Sequence, residues 1–218
     1  MSAAAFFDLD GTLLTVNSAR LWLSRERRLG HVSTWQLARA ALMLVSYRLG
    51  ILDMESALRA SLTTLRGVSE EHIRAETRAW WREDVRAFIA PGARATLERH
   101  RDRGDKLVLL TSSSRYAAEM AREEFGLDDA LFQRYELRDG CFTGEPLPPI
   151  CFGAGKVHVA EAWAREHGID LRESSFYTDS STDLPMLERV GHAFAVQPDP
   201  RLRIAASARS WPILDWSR

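Results

Sequence analysis

The sequence predicts an α/β protein, a doubly wound parallel sheet with an all-helical unit inserted after its first strand. Three observations predict it. Short apolar runs of strand character alternate with helical stretches, the rhythm of parallel β-α units. From about Asn17 to Ile89 the pattern is helical with little strand character. Polar residues then fall where the apolar runs stop: Asp8 and Asp10, Thr111, and Asp179.

Ala3 to Asp8 reads as a buried strand. Ser33-Thr34-Trp35-Gln36 fits a capping box for a helix running to about Leu49, with Gly50 ending it. Asp53 is placed to cap a helix ending near Arg66-Gly67, and Ser69 one carrying Ile73, Trp80, Trp81, Val85 and Phe88. The alternating rhythm resumes at Pro91-Gly92 with a helix to about Arg103. The strand Lys106 to Leu110 ends in Thr111-Ser112-Ser113-Ser114, and a helix follows to about Phe125. Tyr135 to Thr143 reads as a hairpin about the turn pair Asp139-Gly140. Gly155-Lys156 opens a helix reaching His167-Gly168. Ser175 to Thr178 is a strand, Asp183 to Val190 a helix, and Ala193 to Val196 the last strand, with Trp211 to Trp216 a tail packed on the core. The expected organisation is a Rossmann-like core of residues 1–15 and 90–218, with residues 16–89 as a helical cap.

Composition narrows the partners. A net charge of −1 over 218 residues, with arginine interleaved among acidic residues, gives no basic surface for a phosphate backbone, so no nucleic-acid partner is expected. The most membrane-like run, Ala40 to Tyr47, is far shorter than the roughly 20 apolar residues of a bilayer span. Cys141 and Cys151 are the only cysteines and have no metal-ligand spacing, and the N-terminus enters strand-like sequence directly. The expectation is a cytoplasmic protein with reduced thiols, no membrane span, and a monomeric or homodimeric state.

The chemistry begins at Asp8-Leu9-Asp10-Gly11-Thr12. Extended backbone points residues i and i+2 to one side, so the two aspartates aim at one spot where a strand runs out, the place open α/β sheets bind ligands. Two carboxylates so close repel by about 1 kcal/mol in water and about 4 kcal/mol at an effective dielectric near 20. Such a pair persists when a cation bridges it or when its members do different chemistry. Taken singly, each motif has a plainer reading. An Asp pair is turn chemistry, Ser112 to Ser114 a helix-cap cluster, Lys156 a solvated lysine, and Asp183 an acid favoured by a helix dipole. Their joint occurrence, in order and at one sheet edge, overturns those readings for Asp8, Asp10, Thr111, Lys156 and Asp179.

In that order, Asp8-Leu9-Asp10-Gly11-Thr12, Thr111, Lys156 and Asp179-Ser180-Ser181-Thr182-Asp183 resemble the four motifs of the haloacid dehalogenase-like hydrolases, in particular the phosphoserine-phosphatase-like branch called subfamily IB. The resemblance covers essentially the whole chain and implies a phosphatase acting on a small phosphorylated metabolite. It implies that Asp8 is the nucleophile, forming an aspartyl-phosphate. Asp10 is then general acid and base and also a metal ligand through its backbone carbonyl. Half-protonation of an Asp near pH 6 needs a shift of about two units, or ~3 kcal/mol. Asp179 completes the metal site with Asp8, and Asp183 acts mainly through water. Hard oxygen donors suit Mg²⁺. Lys156 neutralises the nucleophile and the phosphoryl oxygens. Thr111, with N–H groups at Ser112 and Ser113, holds a phosphoryl oxygen, and Thr12 orients Asp10 within the phosphate-binding set.

The substrate pattern of that branch is not reproduced. Phosphoserine phosphatases carry a Glu nine residues after the nucleophile, where this chain has Asn17, and an Arg that aligns with Ser61. Without both charged readers of serine, the expected substrate is a different small phosphomonoester, with Arg20, Arg59 and Arg66 as candidate readers of an anionic group or else plain surface arginines. Two other readings stand beside the phosphatase. One is a phosphotransferase or phosphomutase using the same aspartyl-phosphate. The other is a catalytically silent module binding a ligand or partner through the apolar helix Trp35 to Leu49.

Overall fold

The structure, a computed structural model, describes residues 2–30 and 54–217. The capping box at Ser33, the helix to Leu49, the apolar run Ala40 to Tyr47 and the cap at Asp53 lie outside the described residues.

Strand β1 (Ala4–Phe7) is the centre of the sheet. It pairs in parallel with β2 (Lys106–Ser114) on one side and β5 (Ser175–Thr178) on the other. With β3 (Asp129–Arg138), β4 (Cys141–Leu147), β6 (His192–Val196) and β7 (Ile213–Leu214), the order is β4-β3-β2-β1-β5-β6-β7. Every pairing is parallel except β3 with β4. The parallel sheet expected from sequence is present, and the expected hairpin turning at Asp139-Gly140 adds one antiparallel strand at its edge.

Alternation along the strands builds two cores. Phe7, Leu107, Leu109 and Tyr177 face a cluster with Trp80, Trp81, Ala121 and Trp216, whereas Phe6, Val108, Leu110 and Phe176 face Ala160, Trp163, Met186 and Leu202. Both faces of the sheet are thus covered, which is why its strands read as continuous apolar runs.

Between β1 and β2 the described residues are helical. They form α1 (Ser18–Arg28), α2 (Met54–Leu62), α3 (Glu70–Trp80), a π-turn at Trp81–Val85 and a 3₁₀ turn at Arg86–Phe88, followed by α4 (Ala93–Asp102) under the sheet. Asn17 and Ser69 cap α1 and α3, accepting from the N–H groups of Arg20 and His72. Buried Arg25 ties α1 to the π-turn through Glu83 at 2.5 Å and Asp84 at 3.3 Å, and Trp22 meets Trp80 edge to face. This helical layer rests on the hairpin: Gly67 N–H donates to Phe142 O, Phe142 N–H to Val68 O, and Arg59 pairs with Glu145. Trp80 and Trp81 are packing residues, 2% and 3% exposed.

The rest follows the rhythm, with α5 (Arg115–Phe125), α6 (Ala154–His167), α7 (Leu184–Leu187) and α8 (Pro200–Ala208). Two differences matter. β2 extends through Ser114, so α5 starts at Arg115 and Thr111 to Ser113 are extended rather than a helix start. The tail is not only packed: Ile213–Leu214 adds a strand beside β6, and Trp216 stacks on Tyr177.

Candidate active site

Each of the three central strands ends at the same sheet edge, and each delivers a polar group there. β1 leads into Asp8, β5 into Asp179, and β2 carries Thr111 to Ser113. The ammonium of Lys156, near the start of α6, lies 2.9 Å from Asp8 Oδ1 and 2.7 Å from Asp183 Oδ2. All three side chains are buried. Thr178 donates its hydroxyl to Asp183 Oδ2 at 2.7 Å, so one oxygen of Asp183 takes two donors while the other, Oδ1, is buried without a partner.

Asp10 has a different environment. Its Oδ1 accepts the Ser18 N–H at 2.7 Å, and its Oδ2 accepts the Ser113 hydroxyl at 3.2 Å. The first turn of α1 is thereby anchored on the second aspartate, whose partners among the described residues are neutral donors. Ser113 N–H donates to Thr111 Oγ1, which ties the two β2 residues together. Thr12 Oγ1 is buried with no hydrogen-bond partner, so Ser18 and Ser113, rather than Thr12, orient the Asp10 carboxyl.

Gly11 explains the tight seat of Asp179. Its φ is +74°, the left-handed region that glycine enters freely, and a Cβ there would overlap the Asp179 carboxylate. Asp199 braces the same loop: its carboxylate accepts from Ser181 N–H and Leu202 N–H, while its own N–H donates to Asp179 O. Burial works to raise the Asp199 pKa, but those hydrogen bonds outweigh it and hold the carboxyl below the ordinary range.

The electrostatics show a site short of positive charge. Burial, joined by the charges of Asp183, Asp179 and Asp10, pushes Asp8 up to about 8 against the opposing pull of Lys156. Burial, with Asp183 and Asp10 adding to it, raises Asp179 to about 7. Burial also raises Asp10, while its hydrogen bonds from Ser18 and Ser113 hold it back. Burial alone would lower Lys156, but Asp183 and Asp8 outweigh it and keep the ammonium charged. A divalent cation reverses this balance, since it favours every ionised carboxylate around it.

These groups open into a cavity of about 580 Å³. Asp8, Asp10, Lys156, Asp179 and Asp183 form its acidic floor, Ser112 and Phe152 reach it, and Asn17, Arg20, Leu21 and Ser24 of α1 line its mouth. The structure thus brings together Asp8, Asp10, Lys156, Asp179, Asp183, Ser112, Ser113 and Thr111. Of the other two candidate readers, Arg59 is engaged by Glu55 and Glu145, and Arg66 donates to Thr143 O. Sequence reasoning missed Ser18, Thr178 and Asp199. Asp199-Pro200 carries a visible cap signal, but nothing in a helix N-cap says which carboxylate its N–H will meet.

A buried lysine between two carboxylates, beside a second aspartate on neutral donors at the carboxyl edge of a doubly wound sheet, is an arrangement suited to phosphoric monoester chemistry. The family pattern of the haloacid dehalogenase-like hydrolases matches residues 5–188, and the chain belongs to that family. It is 32% identical over 222 residues to a phosphoserine phosphatase of Mycobacterium tuberculosis, covering 99% of this chain and 71% of that protein. It is 28% identical over 221 residues to a histidinol-phosphatase of Neisseria meningitidis, covering 99% of this chain and all of that protein. A solved structure of a protein of unknown function from Bordetella pertussis superposes with a TM-score of 0.91 at 30% identity, covering 99% of both chains. The chain is a phosphoric monoester hydrolase of the phosphoserine-phosphatase-like branch. Among the described residues no helix is long and apolar enough to cross a membrane.

Proposed function

We propose that this protein hydrolyses a small phosphomonoester in two displacements at one aspartate, with Mg²⁺ as cofactor, in the cytoplasm. The observation that carries the reading is the split between the two aspartates: Asp8 against the Lys156 ammonium at 2.9 Å, Asp10 against the neutral donors Ser18 and Ser113. The Lys156 ammonium pulls Asp8 toward its ionised, nucleophilic form against the burial that raises it, a pull that a bound cation would complete, and a carboxyl on neutral donors in a buried site is free to exchange a proton.

In the first displacement an Asp8 oxygen attacks phosphorus, the ester P–O bond breaks, and the Asp10 carboxyl gives its proton to the departing alkoxide. In the second, a water oxygen attacks the phosphorus of the aspartyl-phosphate while the Asp10 carboxylate takes the water's proton. The P–O bond to Asp8 breaks and phosphate leaves. Lys156 and the Ser112 and Ser113 region receive charge on the phosphoryl oxygens, with Thr111 fixing Ser113 through its N–H. The inserted unit of residues 16–89, helical over its described part, acts as the cap that excludes water while the phosphoenzyme persists.

The donor set fits Mg²⁺. All candidate donors are oxygens, Asp183 keeps one buried oxygen unpartnered, and the raised Asp8 and Asp179 call for a cation. Among the described residues no three His, Cys, Asp or Glu side chains are by themselves arranged to hold a metal ion. Asp8 and Asp179 would hold it with the Asp10 backbone carbonyl, and Asp183 would act through water. When bound, it supplies charge to stabilise the transferring phosphoryl group.

Phosphate release from p-nitrophenyl phosphate, with Mg²⁺ or EDTA and beside Asp8→Asn, tests the proposal. Turnover that requires Mg²⁺ and vanishes in Asp8→Asn supports it. Release only when an acceptor alcohol is added moves the reading to phosphoryl transfer. No release by folded protein removes the catalytic reading altogether.

A further inference from the structure

The face that α1 turns toward the cavity is set by helical geometry. Asn17, Arg20, Leu21 and Ser24 follow the i, i+3, i+4, i+7 spacing of one helix face, and all four line the cavity. The Ser18 N–H bond to Asp10 fixes this face over the catalytic floor, because the same turn that presents Arg20 also holds the second aspartate.

What the face offers is one cation. Asn17 spends its Oδ1 on the Arg20 N–H as the helix cap, so at that position the face holds a neutral, occupied amide. Arg20 lines the cavity, and among the described residues its guanidinium has no ion-pair partner, whereas Arg25 and Arg28 of the same helix are held by Asp84. Among the described residues the acidic groups lining the cavity are the four floor aspartates. A leaving-group amine reaching the mouth would find no carboxylate there. A leaving-group carboxylate would find a planar guanidinium whose paired donors match its two oxygens. A single negative charge also suits a floor that already carries four carboxylates against one lysine better than a second phosphate dianion does.

We infer that Arg20 is a specificity-determining residue and that the substrate is a short phosphomonoester whose leaving group bears a carboxylate and no amine. This rests on the phosphatase reading above, from which it is separable. Arg20 is exposed, so its replacement leaves no buried charge behind.

Three esters of matched two-carbon length decide it: 2-phosphoglycolate, ethyl phosphate and phosphoethanolamine, assayed with Mg²⁺ for kcat and KM on the full chain, on Arg20→Met and on Arg20→Lys. The wild-type protein should favour the acid over the neutral ester in kcat/KM by roughly 10- to 100-fold, the worth of one charge-assisted contact, and disfavour the amine. In Arg20→Met the acid-to-neutral ratio should fall to near one, mainly through a higher KM for the acid. Arg20→Lys should recover part of it. Equal use of acid and neutral ester by wild type, or a preference that survives Arg20→Met, overturns the inference while leaving the phosphatase standing. Failure of wild type to release phosphate from all three esters and from p-nitrophenyl phosphate overturns both.

Discussion

Lys156 and Asp8 make a buried ion pair, 2.9 Å between Nζ and Oδ1, that joins the start of α6 to the end of the central strand. Asp183 shares the same ammonium at 2.7 Å, so among the described residues this one lysine faces several buried acids. Removing one member of a buried pair costs about 3–5 kcal/mol, because the other charge is stranded. Lys156→Met should therefore lose activity and melt roughly 6–20 °C lower at neutral pH in EDTA. Asp8 already sits near 8 with the lysine present, and without it Asp8 binds a proton more readily still. The melting deficit should thus be larger at pH 9 than at pH 6, which a pair of thermal scans would settle. A deficit independent of pH would mean that the pair matters only through packing.

Ser113 gives a separate handle on Asp10. Its hydroxyl donates to Oδ2, and hydrogen bonds to the ionised form hold the Asp10 pKa below where burial would carry it. In Ser113→Ala that restraint goes, so the limb of the kcat/KM–pH profile governed by Asp10 should move to higher pH, with kcat reduced several-fold. An unmoved profile with lower kcat would mean that Ser113 serves the phosphoryl oxygens instead.

The parts of this site that could be read beforehand are those in which chemistry coincides with a strand end. Asp8, Asp179 and Thr111 each follow or close an apolar run, and such runs need no partner to be recognised. β3 was harder, because Asp129, Gln133 and Arg134 break its apolar pattern and only its second half reads as hairpin. Gln133 is nonetheless buried, its amide accepting from Cys151 N–H and donating to Leu147 O, a role set by the hairpin and loop around it. Thr178 and Ser18 act on Asp183 and Asp10 through tertiary approach, for which local sequence carries no signal. The two-residue β7 is a strand only because β6 is already there to pair with it.

Beneath the site, His100 places Nδ1 2.7 Å from Asp105 Oδ2 and Nε2 2.8 Å from the Tyr177 hydroxyl. Burial pushes the Tyr177 phenol up to about 12, so it remains a donor, and a neutral imidazole that donates from Nδ1 and accepts at Nε2 satisfies all three groups. Burial lowers the His100 pKa, outweighing Asp105 and aided by Arg103 and Arg99. The unfolded chain then protonates first as pH falls. This contribution is fully favourable above about pH 6.5 and erodes below it, by at most about 1.4 kcal/mol per pH unit. Urea unfolding of the wild-type protein and of His100→Gln between pH 5 and pH 8 should show the wild type losing stability more steeply below pH 6.5. Parallel curves would assign the acid sensitivity to other groups.

Gly11 and Asp179 are in such close contact that a methyl group cannot be placed between them. Gly11→Ala meets two costs: a left-handed residue with a Cβ, about 1–2 kcal/mol, and displacement of the Asp179 carboxylate. The first should appear as a melting temperature lower by roughly 2–8 °C. The second should appear only in Mg²⁺ dependence, because Asp179 is a proposed ligand and makes no part of the lysine pair. The half-saturating Mg²⁺ concentration should rise at least about tenfold, the usual effect of disturbing a metal site's supporting contacts. Gly11→Asn, which tolerates positive φ but still carries a Cβ, separates the two costs: it should recover stability and leave the Mg²⁺ requirement high. If it restored both, the glycine would be needed for its backbone alone, and the close approach to Asp179 would have no bearing on the metal.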